Sequence, residues 1–278
     1  MKIDLPLSAG LDLQIASGID TGSTYPTARL QKGLVLLHDG QDLSEEAVGF
    51  GVPILKRGLQ TIFPGEVDLY LHGGSAHTRV SARYKLSLEE RIARNGNGSV
   101  NNRLVYASKN SMAAVIRQIP FMRKILTSTS NLLRSHLALE TTYEASEFST
   151  YVVLTYTVDD TNGRIKVELV GGDFISTSIS EVIIMNELGA HHFDQYQDID
   201  GVSQTGNEIG LWDLVVAKEA AFIDQTHKIS FSLPQVKGAR LYRGRELIEP
   251  RLAWSGFGYS FPPGLKPFSY EITLKRLP

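Results

Sequence analysis

The residues best suited to chemistry are concentrated in one segment, positions 186–201. It combines adjacent histidines, a tyrosine and several acidic side chains: Glu187, His191, His192, Asp194, Tyr196, Asp198 and Asp200. Histidine and tyrosine can transfer protons, and neighbouring carboxylates can orient an imidazole or accept hydrogen bonds from sugar hydroxyls. The segment therefore holds the side chains of an acid–base site. The chain has no cysteine, so thiol nucleophiles, thiolate metal sites and disulfides are excluded.

A β-strand would bring these side chains together. If residues 190–200 continue the apolar strand that starts near Val182, the two-residue period of a strand creates one polar face. That face would carry His192, Asp194, Tyr196, Asp198 and Asp200. The candidate catalytic residues are His192, Tyr196 and, on the opposite face unless Gly189 marks a bulge, Glu187. The candidate substrate-binding residues are Asp194 and Asp198. The alternative is the solvated polar side of an edge strand.

Further candidates for substrate binding lie elsewhere in the chain. His72 and His77 flank a Gly-Gly turn and could border a cleft, although a plain turn between strands explains them as well. Arg79 and Arg83 fall on the polar side of a predicted strand, where they could neutralise the carboxylate of an acidic sugar. Trp212, together with Trp254, could offer a flat surface to a sugar ring, the alternative being a place in the core.

The sequence predicts no metal and no cofactor. His191, His192 and Asp194 are possible metal donors, but adjacent residues on a strand point to opposite faces, so the two histidines would not share an ion. An EF-hand register starting at Asp198 places Ile209 where a glutamate is required. Walker A, His-Glu-x-x-His and Gly-x-Ser-x-Gly motifs are absent from the sequence.

Period-two alternation dominates the sequence outside these clusters. Residues 77–89, 151–158, 165–169, 229–233 and 270–275 alternate apolar and polar side chains. Asn162-Gly163 separates two of these runs and is typical of a tight hairpin turn. We therefore predict a mainly β chain, a large antiparallel β-sandwich formed by residues 1–278 as a single domain.

One stretch has a different period. Apolar residues in 101–135 recur every three or four positions, which predicts a short helical insertion that Pro120 either kinks or divides by starting a second helix at Phe121. Residues 91–139 contain eight basic and no acidic side chains, against 20 basic and 30 acidic in the remainder. This basic segment could bind a polyanion, its apolar side could pack against another subunit in a homo-oligomer, or it could be a solvated surface.

The overall composition is that of a globular protein. The 278 residues carry a formal net charge of -2, and the N-terminal residues lack the basic-then-apolar pattern of a signal peptide. No apolar run is long enough to span a membrane. We therefore expect a cytoplasmic protein without a membrane span.

Two short segments resemble galactose mutarotase-like supersandwich proteins. Residues 155–165, TYTVDDTNGRI, are similar to the long central hairpin of these proteins, and residues 263–274, PGLKPFSYEITL, resemble their closing strand. The resemblance implies a supersandwich with a sugar cleft on its concave sheet. The sequence departs from the epimerases of this fold at His191-His192-Phe193, which lacks their proline, and no comparable motif surrounds Glu246.

Two functions follow as hypotheses. The first is a carbohydrate-active enzyme, an epimerase or lyase in which His192 or Tyr196 abstracts a proton from a sugar or uronate. The second is a non-catalytic carbohydrate-binding or assembly module that uses the sheet face and the basic segment.

Overall fold

The computed structural model describes residues 1–7, 10–18, 30–58, 60–72, 78–94, 139–174, 178–248, 252–265 and 267–278. The strands in these ranges are β1 (Lys2–Pro6), β2 (Leu11–Ala16), β3 (Val35–His38), β4 (Gln41–Asp42), β5 (Gly49–Arg57), β6 (Gln60–His72), β7 (Thr78–Arg94), β8 (Leu139–Asp159), β9 (Arg164–Gly172), β10 (Glu181–Leu188), β11 (Gln195–Asp198), β12 (Ser203–Thr205), β13 (Asp213–Leu214), β14 (Glu219–Asp224), β15 (Ile229–Pro234), β16 (Arg240–Ile248), β17 (Leu252–Phe261) and β18 (Phe268–Arg276). A single 3₁₀ turn, Gly206–Glu208, is the only helical element in these ranges. None of the described segments forms a helix long and apolar enough to cross a membrane.

The strands form two antiparallel sheets. The first four make a small sheet in the order β1-β2-β3-β4, and the others form one sheet in the order β12-β11-β14-β15-β18-β9-β8-β7-β6-β5-β10-β17-β16-β13. The longest pairs, β6 with β7 and β7 with β8, are joined in antiparallel register. The prediction of a mainly β chain with a large antiparallel sheet is confirmed.

Alternating side chains explain the central strands. On β7, Val80, Ala82, Tyr84 and Leu86 are buried while Arg79, Arg83 and Lys85 are exposed. The β8–β9 hairpin turns at Asn162-Gly163, where Gly163 adopts a φ of 61° that suits glycine. The predicted hairpin is therefore confirmed.

The large sheet folds over so that its two halves face each other. Phe50 of β5 contacts Phe231 of β15 with ring centroids 5.3 Å apart, and Phe222 of β14 contacts Phe257 of β17 at 4.9 Å. These pairs join strands that are far apart in the sheet order. Residues of the small sheet, including Leu5 and Leu13, belong to the same hydrophobic core.

The segment after β10 differs from the prediction. The N–H groups of His192 and Phe193 donate hydrogen bonds to the carbonyl of Gly189, which closes a turn and ends the strand at Leu188. The chain resumes as β11, which pairs with β14 and β12. Residues 190–200 therefore do not continue β10. The prediction that they form one polar face of that strand was wrong. The predicted helical insertion at 101–135 lies outside the described residues.

Candidate functional site

Two buried glutamates lie on the face of β10, β17 and β16 that points away from the main core. Glu187 is paired with Gly256 of β17, which is paired in turn with Gly244 of β16. Glu246 follows Gly244 by two residues, so its side chain is on the same face. Glu187 is 6% exposed and Glu246 7% exposed. Two carboxyl groups therefore share a face of three adjacent strands.

Burial controls the ionisation of Glu187. Its two cross-strand neighbours, Gly49 and Gly256, lack side chains and leave room for the carboxyl group. Loss of hydration raises the pKa of Glu187 from 4.5 to about 8, while a hydrogen bond from the backbone N–H of Val48 acts in the opposite direction. The negative charge of Glu246 raises the pKa of Glu187 further. Glu187 is consequently a protonated acid near neutral pH.

Two stacked tryptophans border the glutamates. Trp254 of β17 is paired with Glu246, and Trp212, from the loop before β13, lies on the Trp254 ring with centroids 4.6 Å and planes 17° apart. Trp254 is 8% exposed, whereas Trp212 is 37% exposed. The outer tryptophan therefore presents a flat aromatic surface. We call Glu187, Glu246, Trp212 and Trp254 the Glu187–Trp212 site.

The site combines three chemical properties. A protonated carboxyl group can donate a proton, and a second carboxyl group on the same face can accept one. An exposed indole ring offers a flat apolar surface of the kind that packs against the C–H face of a sugar ring. This combination suits acid–base chemistry on, or binding of, a polyhydroxylated ligand.

Among the sequence-predicted residues, Glu187 and Trp212 are brought together here. Glu246, which lies in β16 two residues after Gly244, was not predicted as a site residue. The pattern Gly244, Glu246 on an alternating strand was visible in the sequence. The strand order that puts Glu246 on the same face as Glu187 was not visible in the sequence, because it depends on which strand lies between β10 and β16.

The other predicted catalytic residues occupy different surroundings. Tyr196 lies in the core, with the Arg243 guanidinium 4.1 Å from its ring centroid and its hydroxyl donating to Asp198 at 3.2 Å. Burial raises the pKa of Tyr196 to about 12, which keeps the phenol protonated. His192 instead approaches Glu45 and Asp224, at 3.4 and 3.8 Å.

The two predicted aspartates are placed separately. Asp198 accepts hydrogen bonds from the N–H groups of Asp200 and Val202, at 3.1 and 3.0 Å, so its carboxylate holds the turn after β11. Asp194 is exposed, and its charge acts on Arg245. Neither aspartate is on the face of the Glu187–Trp212 site.

The predicted residues near β7 lie on its exposed side. Arg83 is 4.0 Å from Asp68 and its guanidinium is 4.5 Å from the ring centroid of Tyr151. His72 contacts Ser81, at 2.8 Å between Nε2 and Oγ, and Arg79 is exposed opposite His72. His77 lies outside the described residues. Arg83 lines a shallow groove with Lys85, Tyr151 and Asp173, separate from the Glu187–Trp212 site.

Within the basic segment, Arg91 is the basic residue whose side chain lies in the described part of the chain. The Arg91 guanidinium is 3.1 Å from Glu89 and 3.7 Å from Glu144, so acidic partners surround this cation. The other basic residues of the segment, from Arg94 to Arg134, have side chains outside the described part of the chain. Binding of a polyanion and assembly into an oligomer stay predictions.

Comparison with known proteins gives similarity in fold without close similarity in sequence. No protein-family model and no curated protein matches the sequence. The solved structures of the α-N-acetylgalactosaminidase NagBb from Bifidobacterium bifidum, in complexes with GalNAc and with Gal-NHAc-DNJ, each match with a TM-score of 0.50 and 10% identity over 99% of this chain. The match spans 36% of the length of that enzyme. The Slr1438 protein from Synechocystis sp. PCC 6803 matches over 99% of this chain and 96% of its own, at 9% identity and a TM-score of 0.42. The chain is thus similar in fold to about a third of a larger glycosidase.

Proposed function

We propose that this chain is a carbohydrate-active protein that binds a sugar at the Glu187–Trp212 site and performs an acid–base step on it. The observation that carries the proposal is that two buried carboxyl groups, Glu187 and Glu246, share a face of three strands with the Trp212–Trp254 stack. In this role the Trp212 ring packs against the sugar, Glu187 donates a proton and Glu246 accepts one. The reaction class is that of an epimerase or a lyase.

This assignment moves the acid–base role from His192 and Tyr196 to the glutamates. Tyr196 would have to ionise to act as a base, and its burial opposes ionisation. The side chain of His192 is directed to Glu45 and Asp224, neither of which belongs to the Glu187–Trp212 site. The glutamates offer a donor and an acceptor on one face.

The similarity in fold to an α-N-acetylgalactosaminidase directs the choice of sugars. That enzyme was solved with GalNAc bound, so N-acetylhexosamines belong in a panel beside neutral hexoses and uronic acids. The comparison by itself assigns no activity, because one fold hosts many functions. The supersandwich arrangement of galactose mutarotase-like proteins remains part of this proposal.

A second candidate is sugar binding without conversion. Glu187, Glu246 and Trp254 are each less than a tenth exposed, which leaves Trp212 as the accessible surface of the site. A binding module needs an exposed aromatic ring and polar groups, but it needs no accessible acid and base. The low exposure of the two carboxyl groups, together with the exposed ring of Trp212, favours the second candidate.

The experiment is a combined binding and turnover panel. ¹H NMR of the purified chain with galactose, GalNAc, GlcNAc, glucuronic acid and galacturonic acid, and with oligosaccharides of each, detects binding and conversion in the same sample. We expect Glu187→Gln and Glu246→Gln to lower conversion by about 100-fold and Trp212→Ala to weaken binding about tenfold.

The controls are exposed residues on other strands. Glu66→Gln, which removes an exposed carboxylate paired with Lys85, and Tyr70→Ala, which removes an exposed ring, should change neither quantity. Binding without conversion by the unmodified chain establishes the second candidate. If no sugar in the panel binds, both candidates are rejected.

A further inference from the structure

A second cluster of titratable side chains shares no residue with the Glu187–Trp212 site. It is formed where β3, β10 and β14 end, and it collects side chains that are far apart in the sequence: His38, Glu45, His191, His192, Asp224 and His227. Of the five histidines in the described residues, four are in this cluster. Such a concentration of imidazole and carboxylate groups has the composition of a metal site.

Asp224 is the centre of the cluster. It is fully buried at the end of β14, and its Oδ1 accepts hydrogen bonds from the backbone N–H groups of Thr226 and His227, at 2.8 and 3.0 Å. Its Oδ2 is turned to the histidines, 2.6 Å from Nδ1 of His227 and 3.8 Å from Nδ1 of His192. The turn between β14 and β15 therefore fixes one oxygen and directs the other into the cluster.

Glu45 closes the opposite side. One of its carboxylate oxygens is 3.4 Å from Nε2 of His192, and the other is 2.8 Å from Nδ1 of His191. Its side chain fits against Gly189, where a Cβ would lie 2.5 Å from the nearest Glu45 oxygen. Because His191 and His192 lie in a turn and not in a strand, both reach Glu45. The sequence argument that adjacent histidines must diverge does not apply to this turn.

We propose that His192, Asp224 and His227 bind a divalent zinc ion, with Glu45 facing the nitrogen of His192 that is turned away from Asp224. One donor atom from each of the first three residues lies within 4.8 Å of the others. Tetrahedral zinc with ligands at about 2.0–2.2 Å separates its donors by about 3.3 Å. The distances from Asp224 Oδ2 to Nδ1 of His227 and to Nδ1 of His192, 2.6 and 3.8 Å, lie on both sides of that value. Small rotations of the side chains would bring the donors to an ion.

Charge supports the same ligand set. Asp224 supplies one negative charge at the ion and Glu45 a second beside His192, and together they balance a divalent cation. His38 lies outside this group of donors, and its Nε2 accepts a hydrogen bond from Arg276 at 2.9 Å. Its ring contacts that of His227 edge-on, with centroids 5.2 Å apart. His38 therefore supports the orientation of His227 from outside the ligand set.

The test measures metal binding directly, so its outcome does not depend on sugar activity. The full chain is treated with EDTA, dialysed and titrated with Zn²⁺ by calorimetry, and Co²⁺ is titrated in parallel to record the absorption of a tetrahedral site. We expect one ion per chain and a higher unfolding temperature with Zn²⁺ present. His192→Gln and His227→Gln should each weaken Zn²⁺ binding by at least about tenfold.

The matched control is His72→Gln, which removes one exposed histidine far along the sheet and should leave Zn²⁺ affinity unchanged. Circular dichroism of each metal-free variant verifies folding. If His227→Gln does not fold, Glu45→Gln tests the site from its other side and should weaken binding similarly. Absence of stoichiometric Zn²⁺ binding, or equal losses in His72→Gln and His192→Gln, would overturn the proposal.

Discussion

Trp212 lies flat on Trp254, and the space for this stack exists because Gly244 has no side chain. A Cβ on Gly244 would be 2.8 Å from the backbone nitrogen of Trp212 and 2.9 Å from the Trp254 ring. Gly258 of β17 also leaves room for the stack, since a Cβ at this position would be 3.2 Å from the Trp212 ring. The exposed aromatic surface is therefore built into the backbone of β16 and β17.

Gly244→Ala is expected to displace the tryptophan stack. The added methyl group would clash with the backbone of Trp212 and with the buried ring of Trp254. Because neither group can shift without disturbing its packing, the free energy of unfolding should fall by about 1–3 kcal/mol. Sugar binding should weaken in parallel. Urea unfolding followed by circular dichroism measures the first effect, and ¹H NMR titration the second.

Gly171→Ala supplies the control for this change. Gly171 is in β9, and apart from Gly171 and its two chain neighbours, no atom of the described residues lies within 4 Å of the position its Cβ would occupy. Alanine at this position should leave stability unchanged or raise it by up to about 1 kcal/mol. If both alanine variants behave alike, the stack does not depend on Gly244 as described.

Glu187 should make stability depend on pH. Its pKa is about 8 in the folded chain against an ordinary value of 4.5, so between these values the folded chain retains a proton that the unfolded chain has released. The free energy of unfolding therefore falls as pH rises through this window, by at most about 1.4 kcal/mol per pH unit, and levels off above it. Urea unfolding at a series of pH values from 4 to 9, in ~1-unit steps, measures this slope.

Glu187→Gln isolates this contribution. Glutamine stays neutral, so the variant should lose the decline that the unmodified chain shows and should be the more stable of the two at the alkaline end of the series. Glu66→Gln, at an exposed position, should keep the original slope. An identical slope in all three proteins would show that Glu187 is not protonated in the folded state.

Two buried tyrosines should differ in their contributions to stability. The hydroxyl of Tyr156 donates to the carbonyl of Gly51 at 2.7 Å, so the Tyr84 hydroxyl, 2.7 Å away, must donate to Tyr156. Tyr156→Phe leaves a buried donor and a buried acceptor unsatisfied and should cost about 1–3 kcal/mol, whereas Tyr84→Phe removes only a donor and should cost under about 1 kcal/mol.

Equilibrium unfolding of both variants in urea gives these values. The two substitutions are chemically identical and both sites are fully buried, so each is the control for the other. A larger cost for Tyr84→Phe would reverse the assigned direction of the hydrogen-bond chain.

Much of the fold was predictable because strand patterns are local. The alternation around Val80 and Tyr84, and the Asn162-Gly163 turn, are properties of neighbouring residues, and both are confirmed. The end of β10 was not predictable in this way. His192 closes a turn on Gly189, and Glu45, which comes from a distant loop, packs beside that glycine.

The site was predictable only in part for the same reason. Glu187 and Trp212 attract notice as single residues, but their partners are chosen by strand order. Glu246 shares a face with Glu187 because β17 pairs with both β10 and β16, an arrangement set by packing of the whole sheet. Side-chain chemistry could therefore be identified from the sequence, whereas the grouping of those side chains could not.

Tryptophan fluorescence tests the central claim most directly, because the chain contains only two tryptophans and both belong to the Glu187–Trp212 site. Emission is recorded while the purified chain is titrated with each sugar that the NMR panel identifies as a ligand. We predict a saturable change in emission whose midpoint matches the affinity measured by NMR and which Trp212→Phe abolishes or strongly reduces. Sugar binding that leaves the emission unchanged would place the ligand elsewhere and contradict the proposed site.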